Sequence, residues 1–261
     1  MKSVFLVPVY NQARELPAFL EEVAATRPPC DAFLFVNDGS TDGSREIIRA
    51  SGFEHLDFAE RRGIGHCMMR AVEWALANDF DILGGIAGNG KMRPGEMHRL
   101  LDPILNDEAD FTKGSRYLPG GSSPNLPMFR RMAIPLVNRF VHLTLSVRLT
   151  DATCGYRAYR LELIRRARFN WRAEWLHTYG FEYYLDAKFL LDGRIRWREV
   201  PVTMHYPGGR APYSKIRPIR DWYAMLKPWI VARFDGRGFA PAHAAPPAAA
   251  SSITGVANAD A

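Results

Sequence analysis

The sequence predicts an α/β fold, a mostly parallel central sheet flanked by helices, with a less regular second half. Three observations point there. Short apolar runs alternate with amphipathic stretches of about 10 to 15 residues through the first half, the pattern of parallel βαβ units. Four apolar runs end in polar or glycine-rich segments, PVYNQ, NDGS, AGNGK and KGSRY, and sheets of this kind bind ligands at the carboxyl ends of their strands. A chain of 261 residues, 47% hydrophobic and 24% charged, is long enough for one sizeable core, and its composition excludes collagen, a disulfide scaffold and wholesale disorder.

The elements follow in order. Val4 to Val9 reads as the first strand, and ARELPAFLEEVAAT as a helix with Leu16, Phe19, Leu20 and Val23 on one face. Ala32 to Val36 is a second apolar run. It ends in NDGSTDGS, where Ser40 or Thr41 is placed to cap a helix starting near Asp42. A helix over His66 to Asn78 leads into the apolar DILGGIA, and another over about Pro94 to Leu105 precedes ADFTKGSRY. Beyond this, a long helix is expected over Arg130 to Arg148, then a compact turn-rich segment, TDATCGYRAYR. A helix near Tyr179 to Leu191 and a strand within RIRWREVPVTMHY come next. The amphipathic stretch Pro212 to Phe234 must be kinked or interrupted at Pro218 and Pro228.

Charge and cysteines narrow the function. The net charge of +6 and a pI near 9.3 point to an anionic partner. No helix-turn-helix, RRM or zinc pattern is present, which argues against nucleic acid. Cys30, Cys67 and Cys154 are far apart and form no CxxC pair, as expected of a reducing cytoplasm rather than of a disulfide framework or structural zinc. The apolar stretch Met132 to Leu149 is broken by Asn138, Arg139, His142 and Arg148, so no membrane span is expected. The N-terminus reaches Pro8 and Asn11 too soon for a secretory signal.

Taken in order, PVYNQ, NDGSTDGS, RRGIGHCMMRAVEWA, KGSRYLPGG, DATCGYRAY and the late YSK resemble family 2 glycosyltransferases of the GT-A fold, in particular the dolichol-phosphate or polyprenyl-phosphate sugar synthase branch. The resemblance covers roughly Lys2 to Lys215. It implies a GT-A (Rossmann-like) domain over residues 1–235, with a nucleotide-sugar half of about 1–118, an acceptor half of about 119–215 and a basic amphipathic helix of about 212–235. Residues 236–261 form an Ala/Pro-rich tail expected to be disordered. The implied activity is inverting transfer of a hexose from a nucleotide diphosphate sugar, GDP-mannose or a UDP-sugar, to a polyprenyl or dolichyl phosphate. Carried over by position, Pro8, Tyr10, Gln12 and Asp38 hold the nucleoside, and Gly63 and the turn Ala87, Gly88, Asn89 and Lys91 lie against the donor. Arg116 reaches its phosphates. Arg130, Arg131, Arg157, Arg210 and Lys215 are the candidates for the acceptor phosphate. Asp151 is the candidate base were the acceptor a hydroxyl.

One departure stands out. The family carries an Asp-x-Asp motif that holds a divalent metal on the donor's diphosphate, and the matching positions here are Ala87 and Asn89, with Lys91 where Gln is frequent. Hard divalent cations require carboxylate oxygens, so Mg²⁺ or Mn²⁺ has only Asn89 as a weak ligand, and a site without metal stays open. Lys91 then takes over part of the electrostatic role, with Arg116 and either Arg157 or Arg210 assisting. The alternative to an enzyme is a pseudo-glycosyltransferase that binds nucleotide or lipid phosphate as a regulatory subunit. Nine Lys/Arg against three Asp/Glu between Gly193 and Asp235, interleaved with Trp222, Tyr223, Trp229 and Phe234, suit a peripheral place on the cytoplasmic membrane face or a membrane-anchored partner, and equally a basic helix packed on the domain.

Overall fold

The computed structural model of the chain describes residues 1–206 and 220–241. In chain order the elements are β1 (Ser3–Val9), α1 (Leu16–Thr26), β2 (Ala32–Asn37), α2 (Ser44–Ala50), β3 (Glu54–Asp57), α3 (Ile64–Ala77), β4 (Ile82–Gly85) and α4 (Met97–Leu105). They continue with β5 (Phe111–Ser115), α5 (Met128–Leu145), β6 (Arg157–Arg160), α6 (Leu161–Arg165), α7 (Gly180–Leu191), β7 (Trp197–Pro201) and α8 (Arg220–Phe234). The seven strands form one sheet in the order β3-β2-β1-β4-β6-β5-β7. All pairings are parallel except those of β6, which runs antiparallel between β4 and β5.

Alternation along β1 shows how the layers are built. Val4 and Leu6 face one core, shared with Cys67, Ala71 and Val72 of α3 and with Phe181 and Leu185 of α7. Phe5, Val7 and Val9 face the other, shared with Leu16, Phe19 and Val23 of α1 and with Met97, Leu100 and Leu101 of α4. Strands buried on both faces read as continuous apolar runs, as Val4 to Val9 and Ala32 to Val36 do.

The structure departs from the sequence reading in four places. β6 lies within the segment expected to be turn-rich, and β3, whose EHLD carries three charged or titratable side chains, was not expected at all. α2 begins at Ser44 rather than near Asp42, because the Asp42 carboxylate itself accepts the Ser44 amide at 3.0 Å and the Ala13 amide at 3.0 Å. Ser40 instead accepts the Asn11 amide at 3.0 Å. Order also extends past residue 236. Phe239 is buried against Phe169 and Phe189, and the Ala240 amide donates to the Arg166 carbonyl while its own carbonyl accepts from Arg166 Nε, because one aromatic ring covers an apolar gap beside α6 and α7. Pro228 lies within α8, whereas Pro218 and the rest of 207–219 lie outside the described residues.

Candidate active site

The carboxyl ends of β2, β1, β4, β5 and β7 lie along one edge of the sheet. After β1 the chain moves to one side, through β2 and β3, and then returns to the other side of β1 as β4. This reversal is the switch point where open α/β sheets bind ligands. The predicted donor residues meet here. Gly88, in the turn after β4, sits directly over β1: a Cβ built on it would lie 3.0 Å from Val7 Cγ1 and 3.2 Å from Gln12 Oε1. Gln12 Oε1 is itself buried and accepts no hydrogen bond within the described residues.

On the β1/β2 side, Tyr10 and Asp38 stand at adjacent strand ends. The Arg61 guanidinium lies over the Tyr10 ring at 4.4 Å and within 3.9 Å of the Asp38 carboxylate. Asp38 is 4% exposed and accepts the Arg62 amide at 2.7 Å and the Gly63 amide at 3.1 Å, so it also anchors the loop between β3 and α3. Pro8 is half-buried within β1, paired with Val36. Arg61 was not among the predicted residues, although the Arg-Arg pair directly before GIG was its signal.

On the β4/β5 side, half-buried Lys91 is held by its backbone: its carbonyl accepts the His205 amide at 2.7 Å, and its amide donates to Asn89 Oδ1 at 3.2 Å. Burial, with the Arg130 guanidinium nearby, brings the Lys91 ammonium down to about 8, and Glu15 opposes the shift. Arg130, at the start of α5, lies 5.9 Å from the Tyr206 ring, and the Tyr206 hydroxyl accepts from Arg116 Nη1 at 2.5 Å. Tyr206 thus stands between two cations. It was missed in the sequence, although it closes the segment RIRWREVPVTMHY in which a strand was expected.

The donor set at this turn does not fit a divalent metal. Ala87 offers no side-chain ligand, Asn89 Oδ1 is engaged by the Lys91 amide, and two cations lie close by. No group of three or more His, Cys, Asp or Glu suited to a metal exists among the described residues. A hard cation prefers several charged oxygens, and here it would meet like charge instead.

Several predicted residues are engaged within the protein. Asp151 is fully buried, and its two carboxylate oxygens accept from Arg116 Nε and Nη2, both at 2.6 Å. A carboxylate so held orients the arginine. Arg116, 4% exposed, also donates to Thr153 at 2.6 Å and so braces the 150–154 turn and Tyr206 rather than presenting a free guanidinium. Arg157 is buried with Asp186 at 2.6 Å and Glu182 at 3.5 Å, which withdraws it from the acceptor site. Ile134 is buried in the core, whereas Arg131 is exposed. Arg210 and Lys215 lie outside the described residues.

The glycines of RRGIG serve packing. Gly63 has φ +102°, and a Cβ on Gly65 would lie 1.8 Å from the Leu176 carbonyl oxygen. Gly65→Ala is therefore expected to lower stability by about 3 kcal/mol through backbone displacement, read as a shift in the chemical denaturation midpoint.

Comparison with known proteins agrees with this geometry. The family described as Glycosyl transferase family 2 matches residues 4–168. The chain belongs to that family. Among relatives of this glycosyltransferase, the undecaprenyl-phosphate mannosyltransferase of Micrococcus luteus is 30% identical over 78% of this chain and 83% of its own length. The polyprenol monophosphomannose synthase of Mycolicibacterium smegmatis is also 30% identical, over 63% of this chain and 64% of its own. Among solved structures, glucosyl-3-phosphoglycerate synthase from Mycobacterium tuberculosis, in complex with Mn²⁺, UDP-glucose and phosphoglyceric acid, has a TM-score of 0.63. It is 19% identical and covers 88% of this chain and 78% of that one. The glycosyltransferase shares that GT-A fold, with its antiparallel strand set into a mostly parallel sheet.

Proposed function

We propose that this glycosyltransferase moves a hexose from a nucleotide diphosphate sugar, with inversion, to a polyprenyl phosphate. The observation that carries the reading is the crevice at the β1/β4 switch point, with an aromatic and a carboxylate at one end and Lys91, Arg130 and Tyr206 at the other. The names of the 30%-identical relatives support polyprenyl phosphate as acceptor and mannose as first donor sugar. Tyr10 and Arg61 offer a stacking pair for the base, Asp38 beside them keeps acceptor capacity for ribose or base in addition to its two backbone amides, and the basic end receives phosphates.

The chemistry needs no base. A phosphate monoester is already largely dianionic near neutral pH, its second pKa being about 6. Its oxygen attacks the anomeric carbon opposite the nucleotide, and the bond from that carbon to the β-phosphate oxygen breaks. The electron pair leaves with the nucleoside diphosphate, and no proton moves. The engagement of Asp151 by Arg116 is consistent with such a reaction.

The acceptor's lipid tail suggests where the enzyme works. α5 has no acidic residue; it exposes Met128, Met132, Leu136 and Leu143 (64–70% exposed) and carries Arg130, Arg131 and Arg139. α8 packs against α5 and exposes Tyr223, Ile230 and Phe234. No helix among the described residues is long and apolar enough to cross a membrane. Apolar side chains among basic ones suit the headgroup zone of an anionic bilayer. Arg130, on the same helix, joins that face to the crevice.

The test is incubation of the full chain with GDP-mannose, UDP-glucose or UDP-N-acetylglucosamine and undecaprenyl phosphate, with mass spectrometry of the lipid. One donor is expected to give a hexosyl-phosphate lipid, with the anomeric configuration opposite to the donor's. Nucleotide binding without product from any donor would favour the pseudo-glycosyltransferase.

A further inference from the structure

The turn after β4 stands where the donor's diphosphate must lie, at the switch point between β1 and β4. Its side chains are those of Ala87, Asn89 and Lys91, and the Asn89 oxygen is turned back onto the Lys91 amide. Two acids bordering the crevice are engaged within the protein. Asp38 accepts two backbone amides, and Asp151 is locked to Arg116. At this end stand Lys91 and, in electrostatic range of it, Arg130 and the exposed Glu15, with Arg130 over the Tyr206 ring and Arg116 on the Tyr206 hydroxyl. The backbone fixes that arrangement, because the Lys91 carbonyl accepts the His205 amide and Met92 bridges Met204, tying the lysine's turn to the segment after β7 that carries Tyr206.

We propose that the Lys91 ammonium, backed by Arg130, takes the place of a divalent cation on the donor's diphosphate, so that this enzyme binds and turns over its donor without metal. This rests on the donor reading above. The diphosphate of a nucleotide sugar carries about two negative charges. When the anomeric bond breaks, the electron pair adds a third charge on the leaving oxygen, beside fixed cations that need no reorganisation. The same two cations disfavour Mg²⁺ or Mn²⁺ by like-charge repulsion.

The experiment is isothermal titration of the full chain with GDP, UDP, CDP, ADP and dTDP and with the matching monophosphates, in EDTA and in Mn²⁺. In EDTA one diphosphate is expected to bind at least tenfold more tightly than its monophosphate, with Mn²⁺ changing the Kd by less than about twofold. Lys91→Met is expected to weaken the diphosphate at least tenfold and leave the monophosphate unchanged. Lys91→Arg should recover most of the loss, and unaltered melting of the unliganded variants would show that the fold is intact. Transfer to undecaprenyl phosphate should persist in EDTA. The triple variant Ala87→Asp, Asn89→Asp, Lys91→Gln should come to require Mn²⁺ for diphosphate binding. Binding that needs Mn²⁺ in the unaltered chain, or Lys91→Met binding as the unaltered chain does, overturns the inference and leaves the donor reading standing. If no diphosphate binds in either buffer, the donor reading falls and takes this inference with it.

Discussion

Asp186→Ala is expected to destabilise the enzyme by about 3–5 kcal/mol, a large part of the 5–15 kcal/mol that holds a typical domain. Asp186 of α7 joins two buried cations from neighbouring strands, Lys113 of β5 at 2.7 Å and Arg157 of β6 at 2.6 Å. Lys113 is fully buried, and its other bond is to the Cys154 carbonyl at 2.8 Å. Removing the carboxylate leaves Arg157 with Glu182 and leaves Lys113 as an uncompensated charge in a dry core. The penalty belongs to the orphaned charge and not to the loss of a favourable pair, so Lys113→Met combined with Asp186→Leu should recover most of it. Guanidinium denaturation of both variants is the check. Equal destabilisation of the single and the double variant would contradict this account.

Met132→Glu with Leu136→Glu should abolish most binding to anionic vesicles, lowering co-sedimentation at least tenfold, while leaving stability within about 0.5 kcal/mol. Both side chains are more than 60% exposed on α5, so the fold loses nothing when they become polar. Each would contribute up to about 1.5–3 kcal/mol if buried in a lipid interface, and the new carboxylates would face anionic headgroups. Vesicles of phosphatidylcholine with and without phosphatidylglycerol separate the apolar and electrostatic parts. Activity on undecaprenyl phosphate in vesicles should fall with binding, whereas activity on a short, water-soluble prenyl phosphate should not. Unchanged vesicle binding would instead make this face a surface for a protein partner.

The first half of the fold was legible because its strands are buried on both faces. Val4 to Val9 and Ala32 to Val36 announce themselves as apolar runs, and the polar segments that end them mark the site edge. β6 was not legible: RAYR carries arginine at both ends, and only the acids on distant α7 make Arg157 tolerable inside. For the same reason Arg157 passed as a phosphate ligand. Asp151 passed as a base because a carboxylate in a turn gives no sign of its partner, and Arg116 lies 35 residues away. The Ala87/Asn89/Lys91 departure was fully visible, since lost acids and a gained cation need no structure to be seen. The Phe239 contact lay hidden in an alanine- and proline-rich stretch, where one ring outweighs its neighbours.

The antiparallel insertion of β6 has a consequence for how the chain comes off the ribosome. β3, β2, β1 and β4 are complete once Gly85 has been made, but β5 pairs only with β6 and β7 and has no place until Arg160 follows. Until then β4 is an open edge, and Phe111 of β5 lacks its neighbours Tyr159 and Phe189. Non-local closure of this kind slows folding and lengthens the time for which an unpaired edge can recruit another chain. Fragments ending between about residues 116 and 156 should therefore aggregate, whereas those carried past α6 have at least the strand that closes the gap.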